Sequence, residues 1–94
     1  MIEFTKVEGK DYGDIRLFAL STCIWCKKTK KFLDDHNVAY SYVYVDKLSE
    51  EDVELCLQEQ LKYAKEESYP LVAIGESDCI IGYDKAELDK LIKG

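Results

Sequence analysis

Proline and histidine each occur once in this chain, and glycine only five times in 94 residues. With 47% hydrophobic residues, that scarcity suits one compact domain rather than a disordered or low-complexity chain. Positive charge is also short: 13 Lys and Arg against 19 Asp and Glu leave a net charge of −6. A nucleic-acid or anionic-membrane surface needs clustered positive charge, so neither partner is expected. No apolar run is long enough to cross a bilayer, and Met1-Ile2-Glu3-Phe4-Thr5-Lys6 lacks the pattern of a signal peptide. The expected location is therefore the cytoplasm, where structural disulfides are rare. The four cysteines must then be catalytic, metal-binding or core residues.

Ile15-Arg16-Leu17-Phe18-Ala19-Leu20 reads as a buried strand. Ser21 and Thr22 offer capping hydroxyls for a helix from about Cys23, whose apolar positions are Cys26, Thr29, Phe32, Leu33 and His36. Asn37 suits a left-handed cap that ends it. Ala39 to Val45 alternates as a strand, with Tyr40, Tyr42 and Tyr44 on one side and Val43 and Val45 on the other. Ser49, followed by Glu50, Glu51 and Asp52, starts a second helix. Its expected buried face is Val53, Cys56, Leu57, Leu61, Tyr63 and Ala64. After Pro70, Leu71–Ile74 and Cys79–Ile81 form a hairpin across a turn from Gly75 to Asp78. Asp84 and Glu87 cap a last helix that buries Leu88, Leu91 and Ile92. The order β-α-β-α-β-β-α predicts an α/β domain: a mixed sheet with helices on both faces. Ile2 to Val7 alternates well enough to add an edge strand, joined by the loop Glu8 to Asp14.

Cys23-Ile24-Trp25-Cys26 falls where the first buried strand turns into a helix. Free N–H groups and the positive dipole end there favour a thiolate on Cys23. Cys26, one turn on, is placed to resolve a mixed disulfide on Cys23. Lys27 and Lys28, with Lys30 and Lys31, make the one local positive patch. It stabilises the thiolate, steers acidic partners, or is simply a solvated helix face. A Cys-x-x-Cys pair can instead be half of a zinc site, completed by two more ligands. Cys56, Cys79 and His36 are the candidates, but both cysteines sit on apolar faces and read as core. No metal is expected. His36, about 15 Å along the helix from Cys26, is too far to serve as its base. The tyrosine stripe lacks the basic groove that single-stranded nucleic acid needs. Trp25 reads as part of a docking surface, and a scaffold that docks partners without turnover stays open beside the redox and zinc readings.

Three segments carry a family resemblance: Thr22-Cys23-Ile24-Trp25-Cys26, Tyr69-Pro70 before the third strand, and Gly82-Tyr83-Asp84 before the last helix. Together they resemble the thioredoxin superfamily and, within it, the glutaredoxin branch, from Ile15 to Lys93. The resemblance implies a thioredoxin-like fold with a four-stranded mixed sheet, Ile15–Leu20 lying centrally beside Ala39–Val45. Residues 15–94 would form the glutaredoxin-like domain and residues 1–14 an N-terminal extension. It also implies a cis Pro70 facing the cysteines, and a Tyr69 backbone that bonds an extended peptide or glutathione. Trp25, Gly82, Tyr83 and Asp84 would complete the binding surface.

The departures bear on the electron donor. Leu20 and Ser21 stand where glutaredoxins usually carry a Lys or Arg for a glutathione carboxylate. Gly82-Tyr83-Asp84 keeps one glycine and one acid of the usual Gly-Gly and acidic pairs. Cys-Ile-Trp-Cys replaces Cys-Pro-Tyr-Cys. The glycine–aromatic pair is similar to the NrdH-redoxins, which are reduced by thioredoxin-reductase-type flavoenzymes. A reductase or glutathione is thus expected as donor, disulfide-containing proteins as substrates, and a monomer with no cofactor beyond its dithiol.

Overall fold

Ile15, Leu17 and Ala19 alternate with Phe18 along one strand, and all four are buried. A strand covered on both faces belongs in the middle of a sheet. In the computed structural model, which describes residues 2–64, 69–76 and 78–93, it does lie there. The elements in chain order are β1 (Thr5–Val7), β2 (Ile15–Ala19), α1 (Ile24–Asp35), β3 (Tyr40–Tyr44), a 3-10 turn (Val45–Lys47), α2 (Glu50–Gln60), β4 (Leu71–Ile74), β5 (Asp78–Ile81) and α3 (Lys85–Lys93). They form one five-stranded sheet in the order β1-β3-β2-β4-β5, with β2 and β3 parallel and the other neighbours antiparallel. The N-terminal edge strand is thus present. Ser77, inside the expected turn, and the terminal Met1 and Gly94 lie outside the described residues.

Two cores separate by strand face, as period-2 alternation requires. Ile15, Leu17, Ala19, Tyr40, Val72 and Ile80 pack with Cys26, Phe32 and Leu33 of α1 and Leu88 of α3. On the other face, Phe18, Val43, Leu71 and Ala73 pack with Cys56 and Val53 of α2. The tyrosines of β3 all lie on the α1 side. Tyr40 is buried and its hydroxyl donates to Asp34, while the Lys30 ammonium sits 4.8 Å over the Tyr42 ring. That stripe is one wall of a core.

The helix ends follow local rules, with three differences from expectation. Asn37 takes φ 54°, and the Asn37 and Val38 N–H groups donate to the Asp34 and Leu33 carbonyls, closing α1. His36 is exposed rather than core: its ring lies tilted against Phe32, centroids 4.1 Å apart. Leu61 is 55% exposed, whereas Val53, Cys56, Tyr63 and Ala64 of the same expected face do pack on the α2-side core. Gln60 takes the interior position instead, fully buried, with its amide donating to the Tyr69 hydroxyl. The Asp84 carboxylate caps α3 through the Glu87 N–H, 3.2 Å away.

Candidate active site

Strand register gathers the sequence motifs at one end of the sheet. Phe18 pairs with Leu71, so Pro70 falls beside the end of β2, where the chain turns toward Cys23. Leu71 also pairs with Ile81, which brings Gly82 level with Pro70; the Gly82 N–H donates to the Pro70 carbonyl at 2.8 Å. The Tyr69–Pro70 peptide is cis, as expected.

The turn into α1 runs Leu20-Ser21-Thr22-Cys23, closed by the Cys23 N–H on the Leu20 carbonyl at 3.2 Å. Cys23 itself is the N-cap, and its sulfur accepts the Cys26 backbone N–H at 3.2 Å. The expected capping by Ser21 is not what forms, because Ser21 is engaged elsewhere: its N–H and hydroxyl both bond the Asp46 carboxylate, at 2.8 and 2.5 Å. Cys23 is partly exposed, whereas Cys26 is 1% exposed and packs into the α1-side core. Burial pushes the Cys26 thiol up to about 12, helped by its hydrogen bond and charge interaction with Cys23. The outer sulfur is reachable and the inner one holds its proton.

Beside the pair lies a groove of about 270 Å³ lined by Trp25, Tyr69, Pro70, Gly82 and Tyr83. Trp25 is 55% exposed, yet held on two sides: its ring stacks on Tyr83, centroids 6.0 Å apart, and the Lys28 ammonium sits 4.5 Å over it. Gly82 has φ 77°, a conformation that favours glycine at this corner. Five of the six expected binding residues therefore meet in one groove. Asp84 is not among its lining residues; its carboxylate serves the α3 cap.

The lysine patch is differently employed. Lys30 and Lys31 pair with Asp34 and Asp35 at 3.0 and 2.8 Å, one helical turn on. Lys28 covers Trp25, and among the described residues neither Lys27 nor Lys28 hydrogen-bonds the Cys23 sulfur, which takes the Cys26 N–H. Cys56 and Cys79 lie in the α2-side core, across the sheet from Cys23 and Cys26. No group of three or more His, Cys, Asp or Glu placed to hold a metal ion occurs among the described residues. Sequence reasoning missed Asp46, which lies 25 residues from Ser21; only the parallel register of β2 and β3 would have revealed it. A second hollow, beside Lys6, Asp11 and Tyr40, holds no thiol.

Comparison with known proteins agrees with this geometry. Residues 15–78 match the family described as glutaredoxin. An uncharacterised glutaredoxin-like 8.6 kDa protein in the rubredoxin operon of Clostridium pasteurianum is 35% identical over 80 residues, covering 84% of this chain and 97% of that protein. A glutaredoxin from Methanosarcina mazei superposes with a TM-score of 0.87 at 36% identity, over 96% of this chain and 88% of its own. Methanoredoxin from Methanosarcina acetivorans gives a TM-score of 0.90 at 33% identity, over 95% of both chains. No described helix is long and apolar enough to cross a membrane.

Proposed function

This chain belongs to the glutaredoxin family, and from that premise we propose that it is a dithiol electron carrier reducing protein disulfides through Cys23 and Cys26. Family and fold support a thiol–disulfide redox role. The observation that carries the finer reading is the unequal placement of the two sulfurs: Cys23 reachable at the helix start, Cys26 buried behind it.

In the cycle, the Cys23 thiolate attacks one sulfur of a substrate disulfide. A Cys23–substrate disulfide forms, and the other substrate sulfur leaves and takes a proton. Cys26 then loses its proton, attacks the Cys23 sulfur and expels the second substrate thiol. The substrate gains two electrons and two protons, and the protein keeps a Cys23–Cys26 disulfide. The structure supports this timing. Two causes that hold the proton on Cys26 are its hydrogen bond and charge interaction with Cys23. Burial, the largest cause, persists in the mixed disulfide, but the contributions from Cys23 weaken once its sulfur is bonded, which makes the resolving thiol easier to deprotonate at that stage.

The groove beside the pair suits an extended substrate segment, with the backbone next to Pro70 as its hydrogen-bonding edge. Among the described residues, its lining of Trp25, Tyr69, Pro70, Gly82 and Tyr83 carries no Lys or Arg for a glutathione carboxylate. That favours a flavoenzyme reductase over glutathione as the donor. The test is turnover of a protein disulfide with a thioredoxin-reductase-type enzyme, compared with turnover on glutathione and its reductase. The Cys23→Ser variant should be inactive and Cys26→Ser should accumulate mixed disulfides. Full turnover by Cys23→Ser contradicts the reading.

A further inference from the structure

The parallel pairing of β2 and β3 has a consequence beyond the sheet. Ala19 pairs with Tyr44, so residues two positions further along each strand leave the sheet side by side. On β2 that residue is Ser21, the first central residue of the turn that delivers Cys23. On β3 it is Asp46, in the 3-10 turn Val45–Lys47. The Asp46 carboxylate meets Ser21 with both oxygens, one on the backbone N–H at 2.8 Å and one on the hydroxyl at 2.5 Å.

Two such bonds hold the turn from outside its own strand. The turn's internal link is the single Cys23 N–H to Leu20 carbonyl bond at 3.2 Å. Hydrogen bonds to a charged acceptor are roughly twice as strong as neutral ones, so the carboxylate is the firmer anchor. Ser21 in turn holds Asp46 below the usual carboxylate range, which keeps the anchor charged. Asp46 does not line the substrate groove, and it acts on a sulfur only through charge, which adds slightly to the burial and Cys23 effects that raise the Cys26 thiol.

We propose that Asp46 is a positioning residue for the redox pair: by clamping Ser21 it fixes the Leu20–Cys23 turn and so sets where the Cys23 sulfur stands relative to Cys26. The proposal rests on the dithiol reading above and adds to it a residue that holds the reduced form in place. In the disulfide form, the covalent bond to Cys26 pins Cys23 by itself. In the dithiol form that restraint is gone, and the Asp46 clamp carries the turn. Losing the clamp therefore weakens the dithiol more than the disulfide.

The experiment equilibrates the full chain with mixtures of reduced and oxidised dithiothreitol and reads the oxidised fraction of the Cys23–Cys26 pair. Asp46→Ala should shift the equilibrium toward the disulfide about tenfold, or about 30 mV for this two-electron couple. Asp46→Asn keeps the shape and one acceptor oxygen but loses the charge, so it should shift the equilibrium the same way by less than alanine. If Asp46→Ala does not fold, Ser21→Ala carries the test, since it removes only the hydroxyl bond and should shift the equilibrium the same way by less. An unchanged equilibrium in the folded alanine variants overturns the clamp. A shift of the variants toward the dithiol also overturns it, because losing the Asp46 charge, which raises the Cys26 thiol, acts in that direction. A wild-type pair that forms no disulfide at all would instead sink the dithiol reading, and so is told apart from failure of the clamp.

Discussion

The Cys26 backbone N–H donates to the Cys23 sulfur at 3.2 Å, while the Cys26 thiol lies buried behind it. Two cysteines three residues apart thus occupy unlike surroundings. In the reduced native protein, limited iodoacetamide near neutral pH should modify Cys23 first, with Cys26 and Cys56 protected by burial. Peptide mapping of the singly labelled protein checks this. Preferential labelling of Cys26 would reverse the roles assigned here.

The proton on Cys26 links the pair to stability. Its value is raised to about 12 in the folded protein from an ordinary 9.0, so the folded state binds the proton more tightly. The corresponding stability is complete below about pH 9 and is lost as pH rises from about 9 toward about 12. Burial raises Cys56 and Cys79 as well, and adds loss of the same sign. Urea midpoints of the reduced protein should therefore fall with rising alkalinity, and Cys26→Ala should fall less steeply than wild type. Equal slopes would mean that the buried thiol contributes nothing.

Trp25 forms a wall of the groove between Tyr83 and Lys28 without entering the core. Aromatic pairs are worth about 0.5–1.5 kcal/mol beyond area burial, so Trp25→Ala should lower stability only modestly. Its main effect should be a severalfold higher KM for protein disulfides, with the alkylation rate of Cys23 little changed. A loss confined to kcat would place Trp25 in the chemistry rather than in docking.

Gly82 stands at φ 77° with its N–H on the Pro70 carbonyl, and a Cβ there would meet no atom within 4 Å. The cost of Gly82→Ala is thus conformational rather than steric, about 1–2 kcal/mol from the left-handed backbone. Asn tolerates that region better, so Gly82→Asn should lose less. Thermal midpoints of the two variants check the order.

Much of this was legible in the sequence, because the features in question are local. Alternation in Ile15–Ala19 and Tyr40–Tyr44, the strand-to-helix position of Cys23 and the left-handed Asn37 each follow from a few neighbouring residues. What escaped is long-range or lies at helix ends. The Ser21–Asp46 clamp spans 25 residues and appears only when two parallel strands are set in register. Lys28 was expected at the thiolate because both are near the helix start, but its long side chain folds onto Trp25. Being polar, Gln60 is passed over for Leu61, yet it lies four residues from Cys56 on the buried face of α2.

The most direct measurement is the linkage formed when the reduced protein is oxidised by one equivalent of a small disulfide. Peptide mass mapping under non-reducing conditions should show one intramolecular bond, Cys23 to Cys26, with Cys56 and Cys79 still free thiols across the sheet. A disulfide that includes Cys56 or Cys79, or a Cys23–Cys26 pair that stays reduced, would contradict the account.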